Sequence, residues 1–198
     1  IQALKPFNFS QILAEVPELG KFAYRIDSYT FDPLIDSSDV EPALWTALAE
    51  LIKERYDSYD GFVILHGTDT MSYTASALSF MLEGLDKPVI LTGSQIPLSE
   101  IRSDGRDNLV TSLLIASDGI AREVCLYFSG KLLRGNRAVK MSADDLVAFD
   151  SPNYPHLADV GIAVKYNYSA IGALPSEPLA LRLLSEVPIG VLKVFPGI

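Results

Sequence analysis

Two short runs, Val63-Ile64-Leu65 and Val89-Ile90-Leu91, are apolar at every position rather than at every second one. A strand wetted on one face alternates, whereas a run that is apolar throughout is buried on both faces. Segments with helical spacing separate such runs. Strands separated by helices imply βαβ units, hence a sheet covered on both sides. The expected class is therefore α/β: a mostly parallel, doubly wound sheet flanked by helices.

Strands are predicted over Tyr29 to Ile35 (interrupted by Pro33 near its end), Gly61 to His66, Pro88 to Thr92, Val124 to Phe128 and Val160 to Val164. Leu44, Leu48, Leu51, Ile52 and Tyr56 recur at helical spacing, with Asp39 or a preceding serine as N-cap and Pro42 in the first turn. Further helices are predicted from about Ser72 to Leu85, from Asp107 to Ala116 and from Ala143 to Phe149. Residues 1–166 read as one α/β domain and 167–187, with Pro175 and Pro178, as a linker. Residues 188–198 read as the first strand, Ile189 to Phe195, of a second α/β domain.

Charge narrows the partners. Sixteen Lys and Arg against twenty-five Asp and Glu leave a net charge of −9. That is a poor surface for a nucleic-acid backbone or an anionic membrane. No apolar run reaches the ~20 residues of a membrane helix. With one cysteine, Cys125, no intrachain disulfide can form, which fits a reducing compartment. Two histidines, His66 and His156, are too few for a His-built metal site. His66 reads as a hydrogen-bonded structural residue at a strand end and His156 as a surface residue.

In an open parallel sheet, ligands bind beyond the carboxyl ends of the strands. Three polar, hydroxyl-rich loops follow the first three predicted strands: Ser37-Ser38-Asp39, Gly67-Thr68-Asp69-Thr70 and Gly93-Ser94-Gln95. Each alone could be a cap or a turn; together they suggest one site on one rim. The phosphate-loop, dinucleotide and G-x-S-x-G signatures are missing. A threonine nucleophile in the second loop needs a base, and a desolvated lysine can serve. Lys140, in Arg134-Gly135-Asn136-Arg137-Ala138-Val139-Lys140, stands out by context.

These residues resemble a known family. His66-Gly67-Thr68-Asp69-Thr70 is similar to the second threonine motif of bacterial-type L-asparaginases. The cytoplasmic type I branch is resembled in Ile35-Asp36-Ser37-Ser38-Asp39, Tyr59-Asp60-Gly61-Phe62-Val63, Thr92-Gly93-Ser94-Gln95-Ile96-Pro97, Arg102-Ser103-Asp104-Gly105, Arg134-Gly135-Asn136-Arg137 and Ser151-Pro152-Asn153. The resemblance runs in order from about Ile12 to Ile198 and is weakest between Asn167 and Val187.

It implies an amino-terminal asparaginase domain and hydrolysis of L-asparagine to L-aspartate and ammonia in the cytoplasm, with no metal or organic cofactor. Thr68 is then the second catalytic threonine. Asp69 binds the substrate α-amino group and pairs with the catalytic lysine, Lys140. Ser37 takes the α-carboxylate, within the segment Asp36, Ser37, Ser38, and Gly67 belongs to the same substrate site. Ser94 and Gln95 flank the side-chain amide. Asp104 and Asn108 read as site supports or helix caps, with caps and subunit contacts preferred. A homodimer or homotetramer is implied.

The family's first threonine motif, Thr-Gly-Gly-Thr-Ile-Gly-like, has no counterpart in residues 1–198, so these residues alone are expected to be inactive. Two other readings keep part of this picture. One is an asparaginase-like amidohydrolase, lysophospholipase or transfer-RNA-dependent amidotransferase subunit acting on a different substrate. The other is a non-catalytic amino-acid sensor.

Overall fold

The computed structural model describes residues 9–185 and 187–197. The first half holds α1 (Phe9–Glu15), α2 (Pro42–Arg55), β1 (Phe62–Leu65), α3 (Met71–Met81), β2 (Leu82–Glu83), β3 (Val89–Thr92) and α4 (Gly105–Asp118). The second holds β4 (Val124–Phe128), β5 (Lys131–Arg134), β6 (Val139–Lys140), β7 (Phe149–Asp150), β8 (Ala158–Val160), β9 (Val164–Tyr166) and β10 (Ala180–Leu181).

Six strands form the main sheet in the order β1-β3-β4-β5-β8-β9. The parallel pairing predicted from the apolar runs holds for β1-β3 and β3-β4, with Phe62 opposite Val89 and Val89 opposite Val124. Beyond β4 the sheet continues antiparallel through β5, β8 and β9. Tight turns, such as Ser129-Gly130 between β4 and β5, make that change possible. Both residues sit at positive φ, which glycine adopts without a Cβ penalty.

Alternation along β3 and β4 sorts the core onto two faces. Val89, Leu91, Val124, Leu126 and Phe128 pack with Leu48 and Ile52 of α2 and Met71, Leu78 and Met81 of α3. Ile90, Cys125 and Tyr127 pack with Ile115 and Ala116 of α4. All four residues of β3 are buried, as the unbroken apolar run required. A third cluster joins Ile12 and Val16 to Leu109 of α4.

Several local expectations fail, each for a physical reason. Residues 29–35 form no strand: Pro33 lacks a donor, and Tyr29, Leu34 and Ile35 are exposed. The cap of α2 is Glu41, with Pro42 at the first position and no side-chain hydrogen bond, whereas Ser37–Asp39 form a separate single-turn 3-10 helix. Helix α3 stops at Met81, because Leu82 and Glu83 pair with Leu181 and Ala180. Residues 143–149 are not helical. The Ser142 hydroxyl accepts from the amides of Asp144 and Asp145, and the Asp145 carboxylate accepts from the Val147 amide. Such local bonds compete with helix formation. Residues 160–164 are the turn of the β8–β9 hairpin rather than one strand. Residues 189–195 form no strand: no described segment pairs with them, and Ile189, Val191, Leu192, Val194 and Phe195 are exposed.

Candidate active site

Strands β1 and β3 end side by side, Leu65 opposite Thr92. Their loops, 66–70 and 93–96, therefore emerge together at the carboxyl edge. The approach is close: a Cβ on Gly93 would lie 2.1 Å from the His66 carbonyl oxygen, so only glycine fits. Gly93→Ala is expected to destabilise the domain by about 1–3 kcal/mol, read as a lower urea midpoint at constant slope. An unchanged midpoint would show that the backbone yields without cost.

The loop before α3 is held from a distance. Thr70 precedes the first helical residue but makes no capping bond; its hydroxyl donates to the Ser37 carbonyl at 2.6 Å. Gly67 faces Ser37 so closely that an added Cβ would sit 2.3 Å from Ser37 Oγ. The Ser37 turn and the Thr68 turn are thus one packed unit. Asp36 is exposed, and its carboxylate accepts from the Ser38 amide and hydroxyl, each at 2.9 Å. Those two bonds hold the Asp36 carboxyl below its ordinary range.

Lys140 arrives on β6, which follows β5 in the chain and pairs with β7. Its Nζ donates to Thr68 Oγ1 at 2.8 Å and to Asp69 Oδ1 at 3.0 Å. The lysine side chain is 19% exposed and the Asp69 side chain 64%. A half-buried hydroxyl, a largely enclosed amine and an open carboxylate therefore meet just before the amino end of α3, where the helix dipole favours negative charge.

The loop 93–96 is clamped to α4. The Asp104 carboxylate accepts from the amides of Gln95 and Ile96, at 3.0–3.1 Å. Asn108, buried in the first turn of α4, donates to the Gly93 carbonyl and accepts from the Ser129 amide. Asp104 makes no capping bond to its own helix. Asp104 thus holds the N-cap position without a side-chain capping bond, and both residues support the loop 93–96. Nothing local in the sequence separates an aspartate that caps its own helix from one that serves a neighbouring loop. Ser94 packs against Gly105, and the Gln95 side-chain amide Nε2 donates to the Ala143 and Asp145 carbonyls. Both of those contacts are made to groups other than Thr68 and Lys140.

His66 is structural, as expected. Its Nδ1 lies 2.7 Å from the Gly67 carbonyl and its Nε2 2.9 Å from Thr74 Oγ1, which accepts from the Trp45 indole. A carbonyl can only accept, so Nδ1 carries the proton and Nε2 accepts from the Thr74 hydroxyl. Burial pulls the imidazole pKa below its ordinary value. Among the described residues, no group of three His, Cys, Asp or Glu could hold a metal, and no helix is long and apolar enough to cross a membrane.

Residues 1–172 match the sequence model of the family described as Asparaginase, N-terminal. This chain belongs to the asparaginase family. It is 52% identical over 182 residues to L-asparaginase 1 of Escherichia coli K12, covering 92% of this chain and 53% of that protein. It is 47% identical over 167 residues to the 60 kDa lysophospholipase of Homo sapiens, covering 84% of this chain and 29% of that one. The crystal structure of L-asparaginase I from Vibrio cholerae superposes with a TM-score of 0.87 at 44% identity, covering 98% of this chain and 59% of that one. The chain therefore spans little more than half of the Escherichia coli and Vibrio cholerae relatives. The α/β architecture of the asparaginase amino-terminal domain, inferred from the motifs, is the architecture found.

Proposed function

We propose that the protein to which these residues belong hydrolyses L-asparagine to L-aspartate and ammonia at the rim where Thr68, Asp69 and Lys140 meet. The observation that carries this reading is Lys140 Nζ within hydrogen-bond reach of both Thr68 Oγ1 and Asp69 Oδ1. Residues seventy-two positions apart have no local reason to converge so closely.

The amide carbon needs an oxygen nucleophile, and a threonine hydroxyl is weak until a base takes its proton. When Lys140 is neutral, Thr68 donates to Nζ across the same separation. The proton then passes to the amine as a bond forms between oxygen and the amide carbon. The resulting ammonium is stabilised by Asp69. The same protonated amine returns its proton to the leaving nitrogen as the C–N bond breaks, so ammonia departs uncharged and an ester is left on Thr68. Water, deprotonated by the same amine, then attacks that ester, and Thr68 takes the proton back as aspartate is released. Asp69, with its side chain mostly open, is free to pair with the substrate α-ammonium. The Ser37 turn lies against Gly67 and supplies donors for the α-carboxylate, with Asp36 and Ser38 shaping that turn. Ser94 and Gln95 hold the loop beside the amide.

The remaining half of the protein is proposed to contribute the first threonine, a second domain entered at 188–198 through the segment 167–187, and contacts for a homodimer or homotetramer. Residues 1–166 form the catalytic domain in this reading. A cytoplasmic setting fits Cys125, which is free and buried. No role is assigned to metal, cofactor, nucleic acid or membrane.

The test is ammonia release by the full-length protein from asparagine and from glutamine, with fatty-acid release from a lysophospholipid measured in parallel. Turnover of asparagine is expected. The lysophospholipid arm is included because the human relative at 47% identity is named a lysophospholipase. Calorimetric binding of asparagine without turnover would favour a sensor instead.

A further inference from the structure

Lys140 sits on a ribbon too short to hold itself in place. Strands β6 and β7 have two residues each, and they form a sheet separate from the main one. Val139 pairs with Asp150 and Lys140 with Phe149. In an antiparallel pair, residues directly opposite share a face and successive residues alternate. Lys140 and Phe149 therefore share one face. Phe149 is buried against Phe128, with ring centroids 5.0 Å apart, and Lys140 reaches Thr68. Val139 and Asp150 share the opposite face. A slip of one residue would turn Lys140 away from the site.

The opposite face ends in an ion cluster that the proposed reaction does not use. Asp150 Oδ2 accepts from Lys131 Nζ of β5 at 2.9 Å, and Asp150 Oδ1 lies 2.9 Å from His156 Nε2. His156 Nδ1 lies 2.8 Å from Asp159 Oδ1 of β8. Asp159 stands opposite Lys131 on one side and Lys165 of β9 on the other. The Ser151 amide adds a further bond to Asp150. The cluster thus ties the end of the ribbon to the antiparallel half of the main sheet.

We propose that Asp150 is a positioning residue for Lys140, its ion cluster fixing the register and facing of the β6–β7 ribbon. The inference rests on the asparaginase reading only for its kinetic consequence. The cluster is charged as this role needs. The Lys131 ammonium, then His156, hold the Asp150 carboxyl down at about 2. Burial lowers His156, but Asp159 and Asp150 more than reverse this and leave it above its ordinary value. The histidine's contribution is therefore complete below its unfolded value and is lost as pH rises through the raised one. The carboxylate's contribution is complete above 3.8 and is lost as pH falls toward about 2.

The test uses the full-length protein and two readouts, hydrogen exchange of peptides spanning 138–150 and steady-state kinetics with asparagine. Asp150→Asn is expected to speed exchange in the ribbon while leaving the β3 and β4 peptides protected. It should lower kcat roughly tenfold to a hundredfold with KM within about threefold, because the amine is misplaced rather than removed. Asp150→Glu should recover part of both. Should Asp150→Asn fail to fold, His156→Asn and Lys131→Met remove one cation each and are expected to act in the same direction. Ribbon exchange at the parental rate in variants that fold would overturn the proposal, whether or not the parent turns over asparagine. Faster exchange with parental kcat would equally overturn it. A parent without asparagine turnover refutes the asparaginase reading alone, and the exchange result then decides the positioning role.

Discussion

Thr68→Val in the full-length protein is expected to lower kcat/KM for asparagine by on the order of 10⁴-fold or more, the scale seen when a nucleophile is removed from a cooperating set. Valine keeps the shape and β-branching of threonine and deletes only the hydroxyl. The fold should barely notice: Thr68 is half-buried, and the bond lost is the one from Lys140. One lost hydrogen bond costs about 1 kcal/mol, so the thermal midpoint should move by a few degrees at most. Thr68→Ser retains an oxygen nucleophile and should keep a measurable fraction of turnover. Ammonia release by the valine variant within tenfold of the parent would remove Thr68 from the chemistry. An intact thermal midpoint with lost turnover separates a chemical role from a structural one.

The second large effect is at Lys140. Lys140→Met keeps most of the apolar stem and deletes the amine, and kcat is expected to fall roughly a hundredfold to ten-thousandfold, the range for a positioned general base. Arginine at this position is the sharper measurement. A guanidinium keeps the charge beside Asp69 but cannot act as a base near neutral pH. Lys140→Arg should therefore be about as inactive as the methionine variant across the pH range tested. Recovery by arginine would mean that Lys140 contributes charge alone, and the proton-transfer role would fall while the geometry stood.

The parallel half of the sheet was legible from two apolar runs. Every residue of Val89–Thr92 is buried on both faces as expected. By contrast β1, the end strand of the described sheet, leaves Phe62–Ile64 half-buried and Leu65 exposed, so the same apolar pattern did not give the same burial there. The failures share a different cause. At 143–149 the composition suits a helix, but Ser142 and Asp145 bond their near neighbours instead. At 29–35 and 189–195 the residues suit strands, yet a strand needs an edge to pair with, and pairing is not a local property. Asp104 and Gln95 illustrate the same limit for side chains. Each has several partners it could satisfy, and only the approach of α4 and of residues 143–145 selects among them.

The sequence by itself determined the α/β class, the family and the residue types at the site, because periodicity and ordered motifs are written along the chain. The convergence of Thr68, Asp69 and Lys140 was suggested by motif, but its geometry was decided by the tertiary structure. The lysine reaches the threonine only after the chain turns back through β5 and a two-residue ribbon, whose facing is held by Phe149 on one side and the Asp150 cluster on the other. Neither anchor could be read locally. A two-residue strand carries too little pattern to fix its own register, and the charges that fix it come from β5, the loop after β7 and β8.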